Sequence, residues 1–154
     1  MGAAVRRLGD GDVAALRALN ALFAAAFEDP DTYLSDPPPD TWLARLLARP
    51  DFGAFVAEDA GAVVGGLTMY LLDKPEQARS EGYIYDLAVA EGHRRRGIAR
   101  ALIRAACDWA GANGAWVAYV QADHGDDPAI ALYSALGARE EVLHFDIPVG
   151  AWRG

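Results

Sequence analysis

Apolar residues recur along this chain at helical spacing in some stretches and at strand spacing in others. Helical spacing runs through 13–27, behind Asp10 and Asp12, two residue types that cap helix starts. A second helix is predicted over 41–48, ended by a proline at position 50. The stretch 29–40 holds four prolines, so the sequence predicts a surface loop there.

Strand-like runs dominate the middle of the chain. The runs 52–58 and 62–72 flank a turn at 59–61, which predicts an antiparallel hairpin. A short opening strand over 3–8 and a further strand over 82–89 complete this group. Helix and strand then alternate through the predicted elements at 96–112 (helix), 115–121 (strand), 128–136 (helix ended by Gly137) and 141–148 (strand).

The order βααβββαβαβ predicts an α/β (mixed α+β) fold. We expect a central twisted, mixed, mostly antiparallel sheet with helices on both faces. The 154 residues fit one compact domain, so a single domain over 1–154 is predicted.

The net charge of -8 favours some partners over others. Nucleic acid is excluded as a partner, because phosphate backbones require a basic footprint. A cationic partner suits a negative surface, although acidity that only keeps the protein dispersed is the alternative. The single Cys107 excludes an internal disulfide, and the three histidines lack metal-ligand spacing, so no metal site is predicted.

Neither targeting nor membrane insertion is predicted. The N-terminus carries basic residues without an apolar segment behind them, unlike a secretory signal. No apolar stretch approaches the roughly 20 residues that span a bilayer. We expect a cytoplasmic protein that does not contact membranes.

The chemistry-bearing segment runs from the strand YIYDLAV into HRRRGIARALI. A strand leads through a short loop into a helix, whose first N–H groups have no partners within the helix and carry partial positive charge. Gly97 lets an anion approach the backbone. Five arginines within eleven residues add positive charge, namely Arg94, Arg95, Arg96, Arg100 and Arg104. A phosphate-bearing ligand is favoured over the alternative of a solvated basic helix face.

The spacing Arg94-x-x-Gly97-x-Ala99 after a strand resembles the acetyl-coenzyme A signature of the GCN5-related N-acetyltransferases (GNAT). Asp126-x-x-Ala129-x-x-x-Tyr133 resembles the next motif of that family. The resemblance implies acetyl-coenzyme A as co-substrate, with its pyrophosphate on the loop that carries Arg94, Arg95, Arg96, Gly97, Ile98 and Ala99. It also implies that the backbone of Leu87, Ala88 and Val89 pairs with the pantetheine arm, and that Asp126 and Tyr133 contribute to cofactor binding, with the tyrosine aimed at the thioester sulfur.

A longer resemblance covers roughly residues 6–147. EQARSEGYIYDLAV and YVQADHGDDPAIALYSALGAREEVLHFDI are similar to the aminoglycoside 3-N-acetyltransferases of the gentamicin type. That resemblance implies acetylation of the 3-amino group of the deoxystreptamine ring and antibiotic resistance. Asp126 departs from the wider fold, where asparagine is usual at this position.

Six acids lie between positions 123 and 146, where Arg139 is the only Lys or Arg. Carboxylates bind ammonium groups through charge-assisted hydrogen bonds, which suits a polycationic amine such as an aminoglycoside. Asp127 precedes a proline, a favoured pair for starting a helix, so capping is its predicted role. We therefore expect Asp123, Asp126 and Asp146 to contact the acceptor, together with Glu81.

Acetyl transfer requires a neutral amine, so a carboxylate must accept a proton directly or through one water. Asp86 is the first candidate for this base, and related polyamine acetyltransferases carry an acid at what looks like the same place. Glu81 and Asp123 are reserves, and a strand acid satisfied by backbone amides is the alternative for Asp86. Tyr133 is the candidate acid for the departing thiolate, with a packed core aromatic as its alternative.

Three functions remain open from the sequence. The favoured one is an aminoglycoside 3-N-acetyltransferase that forms a homodimer, as the fold implies. The second is an acetyltransferase of the same fold acting on a polyamine, another small amine or a protein amino group. The third is an acyl-coenzyme A sensor without catalysis, which the presence of both Tyr133 and Asp86 disfavours.

Overall fold

The computed structural model describes residues 2–150, which group into two units. The first unit ends at Gln121 and the second begins at Ala122. In chain order, the elements of the first unit are β1 (Ala4–Arg7), α1 (Val13–Ala26), α2 (Pro30–Leu34), α3 (Asp40–Ala48), β2 (Phe52–Asp59), β3 (Ala62–Asp73), β4 (Ser80–Val89), a 3-10 turn (Glu91–His93), α4 (Ile98–Ala112) and β5 (Ala115–Val120).

The strands of the first unit form one sheet in the order β1-β2-β3-β4-β5. Neighbouring strands are antiparallel except β4 and β5, which are parallel because α4 crosses over between them. This arrangement confirms the predicted mixed, mostly antiparallel sheet.

Helices cover both faces of this sheet. On one face, Leu102 and Ala106 of α4 are buried against Leu67 and Met69 of β3. On the other face, α1 and α3 bury apolar side chains in a second cluster with β2. A Cβ on Gly66 would clash with Cδ1 of Leu19 and lie 2.9 Å from the backbone carbonyl oxygen of Phe55, so glycine is required where α1 crosses β3.

The predicted hairpin between β2 and β3 is confirmed. Ala60 and Gly61 form its tip with φ angles of 50° and 80°. Two central residues with positive φ are typical of the turn that matches the twist of paired strands.

Two local predictions in the first unit are wrong. Residues 30–34 form α2 rather than irregular loop, because the Asp29 carboxylate accepts a hydrogen bond from the Thr32 amide at 3.1 Å and Pro30 occupies the first turn. The side chain of Asp12 does not cap α1, because its carboxylate instead accepts from the Gly9 amide at 2.7 Å and pairs with Arg6 at 3.1 Å.

The second unit contains one α-helix in its described part, α5 (Asp127–Leu136), and Gly137 ends it as predicted. The strand predicted over 141–148 is wrong, since these residues form no strand. Alternating apolar residues make a strand only when its backbone groups find partners on a neighbouring strand. Among residues 2–150, no helix has the length and apolar character required to cross a bilayer.

Candidate active site

A β-bulge places Asp86. Thr68 of β3 pairs with Asp86 and Met69 pairs with Ile84, so Tyr85 is an extra residue on β4. The extra residue reverses the alternation of side chains along the strand. Ile84 therefore packs with the α4 cluster, whereas Ala88 packs with the cluster of α1 and α3. Asp86 lies beyond the bulge, two residues before Ala88, and is therefore on the same face of the sheet as Ala88.

The Asp86 side chain lines a cavity of about 170 Å³ on the α1 and α3 face of the sheet. Its Oδ1 accepts a hydrogen bond from the Tyr33 hydroxyl at 3.0 Å, and its backbone amide donates to Oγ1 of Thr68 at 3.3 Å. The other residues that line the cavity are mostly apolar or aromatic: Leu16, Asn20, Phe23, Leu43, Leu46, Phe52, Thr68, Tyr70 and Tyr85.

Burial in this cavity raises the pKa of the Asp86 carboxyl above its ordinary value, and the hydrogen bond from Tyr33 partly offsets that rise. A carboxylate with a raised pKa is a stronger proton acceptor than an exposed aspartate. The cavity therefore suits a base that takes a proton from a bound amine. The alternative for Asp86 is a strand acid whose carboxylate is satisfied by backbone amides. That alternative is wrong, because the carboxylate accepts its hydrogen bond from Tyr33 instead.

Tyr33 is a site residue that the sequence did not indicate. It lies on α2, and its ring packs against Phe23 and Phe27 of the α1 segment with centroids 5.9 and 5.8 Å away. Its partner Asp86 is 53 residues away in sequence. The proline-rich segment that the sequence assigned to loop thus carries a hydroxyl to the candidate base.

Tyr33→Phe is expected to move the acidic limb of the pH–rate profile to higher pH. The hydrogen bond from Tyr33 lowers the pKa of Asp86, so its removal raises that pKa further, and the base is then lost by protonation at a higher pH. The measurement is kcat/KM against pH for both proteins. Coincident acidic limbs would mean that the Tyr33 bond does not act on the reacting base.

The pairing of β4 with β5 stops at the bulge, where β5 ends. Their pairing ends at Ile84 and Val120, while β4 continues to Val89 in register with β3. Along Leu87, Ala88 and Val89, the β4 edge that faces away from β3 pairs with no strand in the described chain. An extended ligand can add to such an edge through main-chain hydrogen bonds, as the resemblance implies for pantetheine.

The arginine loop follows β4 after the short 3-10 turn. Gly97 stands at the N-cap of α4 with a φ of 76°, and nothing lies within 4 Å of the position that a Cβ would take. Arg95 also has a positive φ, of 64°. The first N–H groups of the 15-residue α4 have no partners within the helix, so they are available to an anion bound at this loop.

All five arginines of this segment are exposed, and none forms an ion pair with a carboxylate among residues 2–150. Nε of Arg94 donates to the Val89 carbonyl at 3.2 Å, which ties the loop to the end of β4. The Arg96 and Gly97 end of the loop lines a second cavity, of about 130 Å³. Positive side chains, free amides and space beside Gly97 together fit a pyrophosphate group.

Glu81 lies at the other end of β4, in register with Val117 of β5. Its carboxylate is 3.9 Å from Nζ of Lys74, so it already has a partial counter-charge. Five residues separate it from Asp86.

In the second unit, the structure corrects which of two neighbouring aspartates caps α5. Asp126, and not Asp127, caps α5, because its Oδ1 accepts from the Ala129 amide at 3.4 Å. Asp127 is the first helical residue, where a carboxylate complements the helix dipole. Asp123 is exposed, and its carbonyl accepts from the Asp126 amide at 3.2 Å.

The remaining candidates of the second unit are Tyr133 and Asp146. Tyr133 is half-buried on α5, where burial and then the Asp126 carboxylate raise the pKa of its hydroxyl. Asp146 is exposed and lies 2.8 Å from Nε2 of His144. A raised pKa keeps the Tyr133 hydroxyl protonated, as a proton donor requires.

Residues 16–138 of this chain match the acetyltransferase (GNAT) family. The chain is 52% identical to HMB0005, an aminoglycoside acetyltransferase from an uncultured soil metagenomic sample. The two structures superpose with a TM-score of 0.94, over 97% of this chain and 100% of that one.

The chain is similar to two further proteins. The aminoglycoside acetyltransferase meta-AAC0020, also from a soil metagenomic sample and solved in complex with sisomicin, is 34% identical with a TM-score of 0.88 over 96% of each chain. The probable N-acetyltransferase family 8 member 5 of Mus musculus is 31% identical over 65% of this chain. That match spans only 44% of the mouse protein.

Proposed function

The chain belongs to the acetyltransferase (GNAT) family, and on that premise we propose that it transfers an acetyl group from acetyl-coenzyme A to the 3-amino group of gentamicin-type aminoglycosides. The observation that carries the acceptor class is the 52% identity to an aminoglycoside acetyltransferase over 97% of the chain. The observation that supports the chemistry is the half-buried Asp86 carboxylate on a cavity wall.

Asp86 is the proposed general base. An alkyl amine has a reference pKa near ~10.4 and is mostly protonated at neutral pH, so it must lose a proton before it can attack. The carboxylate accepts that proton directly or through one water, while Tyr33 holds one of its oxygens at 3.0 Å. Glu81 and Asp123 remain the reserve candidates.

Acetyl-coenzyme A supplies the acetyl group as a thioester when it is bound. The proposed pyrophosphate site is the loop from Arg94 to Ala99, where free amides and arginines complement negative charge. The backbone of Leu87, Ala88 and Val89 is the proposed partner of the pantetheine arm, because this edge of β4 has no strand beside it in the described chain.

Tyr133→Phe is expected to lower kcat by about 10²-fold, the lower end of the range for general acid catalysis. The effect is smaller than that of losing the base, because a thiol has a reference pKa near ~8.5 and its thiolate leaves with little assistance. Acetyl-coenzyme A affinity should stay within about twofold. A kcat within twofold of the parent, measured by thiol release, would assign Tyr133 to packing alone.

Asp123, Asp126 and Asp146 are proposed to hold ammonium groups of the acceptor. Asp123→Asn or Asp146→Asn is expected to raise the KM for gentamicin severalfold, and the KM of the parent should rise with ionic strength, because exposed charges are screened by salt. Kinetics at low and high salt check both effects. Salt-independent KM values would exclude these contacts.

Expression in a gentamicin-susceptible bacterium tests the proposed function. We expect increased resistance, thiol release with gentamicin in vitro, and a product acetylated at the 3-amino group by NMR. Turnover of spermidine or a peptide amine without resistance would assign the protein to the second acceptor class instead. A single domain over 1–154, a homodimer and a cytoplasmic location stay predictions.

A further inference from the structure

Four tyrosines form a continuous row on the sheet of the first unit. Tyr70 of β3 and Tyr85 of β4 have ring centroids 6.1 Å apart, and Tyr85 is 5.6 Å from Tyr83. Tyr83 in turn stacks on Tyr119 of β5, with centroids 4.7 Å apart and planes within 9°. We call these four side chains the tyrosine row.

One end of the tyrosine row reaches the candidate base. Tyr70 and Tyr85 line the same cavity as Asp86. Burial and then the neighbouring Tyr85 raise the pKa values of the Tyr70 and Tyr83 hydroxyls, and the Asp86 carboxylate adds a smaller effect in the same direction. The other end lies on β5, the edge strand of the described sheet.

The rings of the tyrosine row are accessible to solvent. Tyr85 keeps 62% of its surface exposed and Tyr119 keeps 37%. The Tyr83 hydroxyl donates to Oε1 of Gln121 at 3.1 Å, which fixes that ring. Contiguous exposed aromatic surface beside a reactive group is typical of a binding site rather than of a packed core.

The chemistry of the tyrosine row determines which class of ligand it can bind. The face of an aromatic ring carries negative potential and attracts ammonium groups, and tyrosine adds a rigid amphipathic surface with a hydroxyl. Asp86 at one end and Glu81 on the same strand add negative charge in a chain of net charge -8. A polyhydroxylated molecule with several ammonium groups is complementary to this surface.

We propose that the tyrosine row binds an amino-sugar ring of the acceptor that is attached to the acetylated ring. This inference rests on the proposed function, since it takes the acceptor to be a multi-ring aminoglycoside. The reacting amine is then held at the Asp86 end, and one of the two amino-sugar rings attached to the deoxystreptamine ring extends along Tyr85, Tyr83 and Tyr119. The length of the row explains why a single-ring fragment would be a poorer ligand than a three-ring drug.

The test compares variants that lose a ring with variants that keep it. Tyr83→Leu and Tyr119→Leu remove the aromatic face and are each expected to raise the KM for gentamicin about two- to fivefold, the range of one exposed cation–π contact. The inhibition constant of 2-deoxystreptamine, the single-ring fragment, should change less than twofold, and kcat should be retained. Tyr83→Phe and Tyr119→Phe should restore most of the affinity for gentamicin.

Trp42→Leu is the matched control, because Trp42 is 53% exposed on α3 and lies outside the row and the cavity. This variant should leave both the KM for gentamicin and the inhibition constant of 2-deoxystreptamine unchanged. An unchanged gentamicin KM in both leucine variants, or an equal loss for gentamicin and the fragment, would overturn the proposal while the proposed function stood.

A parent protein that acetylates no aminoglycoside would overturn the proposed function separately. Calorimetric titration with gentamicin then tests, independently of catalysis, whether the tyrosine row binds the drug. Binding by the parent that weakens in the two leucine variants would support the row, and no binding, or equal binding, would overturn it.

Discussion

Asp86→Asn is expected to lower kcat toward gentamicin by about 10⁴-fold, the upper end of the range for general base catalysis. The amide cannot accept a proton from the ammonium form of the acceptor, which dominates at neutral pH. The fold should be retained, because asparagine keeps the shape of the side chain and an oxygen that accepts from Tyr33. The measurement is thiol release under saturating acetyl-coenzyme A, with circular dichroism as the check on folding.

Glu81→Gln is the control for Asp86→Asn. It removes the same charge from the same strand, five residues earlier, at a carboxylate that already lies 3.9 Å from Lys74. If Asp86 is the base, Glu81→Gln should change kcat by less than about threefold, whatever it does to KM. A large loss in the Glu81 variant, with a small loss in the Asp86 variant, would transfer the role of base to Glu81.

The regular part of the fold was predictable because it depends on local pattern. Alternation and turn chemistry located the hairpin of β2 and β3, and helical spacing located α1, α3 and α4. The turn at the arginine loop was predictable for a related reason, since a glycine after a run of arginines combines local flexibility with local charge. Gly97 has the left-handed φ of 76° that such a turn requires.

The surroundings of Asp86 were less predictable because they depend on contacts between distant segments. Tyr33 reaches Asp86 across 53 residues, from a segment whose prolines predicted irregular structure. The bulge at Tyr85 leaves no mark in the sequence, since the residue types on either side of it give no sign of an extra residue. Without the bulge, Asp86 would have been assigned to the α4 face of the sheet.

The strand predicted over 141–148 shows the limit of periodicity. Its side chains alternate as strand side chains do, yet Leu143 and Phe145 are 83% and 76% exposed and the segment forms no strand. Alternation indicates that a segment can be a strand, whereas pairing decides whether it is one.

Gly97→Glu is expected to weaken acetyl-coenzyme A binding by roughly 100-fold or more. The substitution places bulk and negative charge where backbone amides and arginines would bind the pyrophosphate. Hydrogen bonds to charged groups are each worth about 1.5–3 kcal/mol, and the loss of two is enough for this effect. Isothermal titration calorimetry of acetyl-coenzyme A against both proteins measures it.

Gly97→Ala separates charge and bulk from backbone strain. Both variants force a side chain into the left-handed region, which costs about 1–2 kcal/mol for an L-residue, but nothing in the protein lies within 4 Å of the new Cβ. Alanine should therefore weaken cofactor binding far less than glutamate does, with a similar loss of thermal stability in the two variants. Equal cofactor affinity in parent and folded Gly97→Glu protein would mean that the phosphates bind elsewhere, and the assignment of the arginine loop would fail.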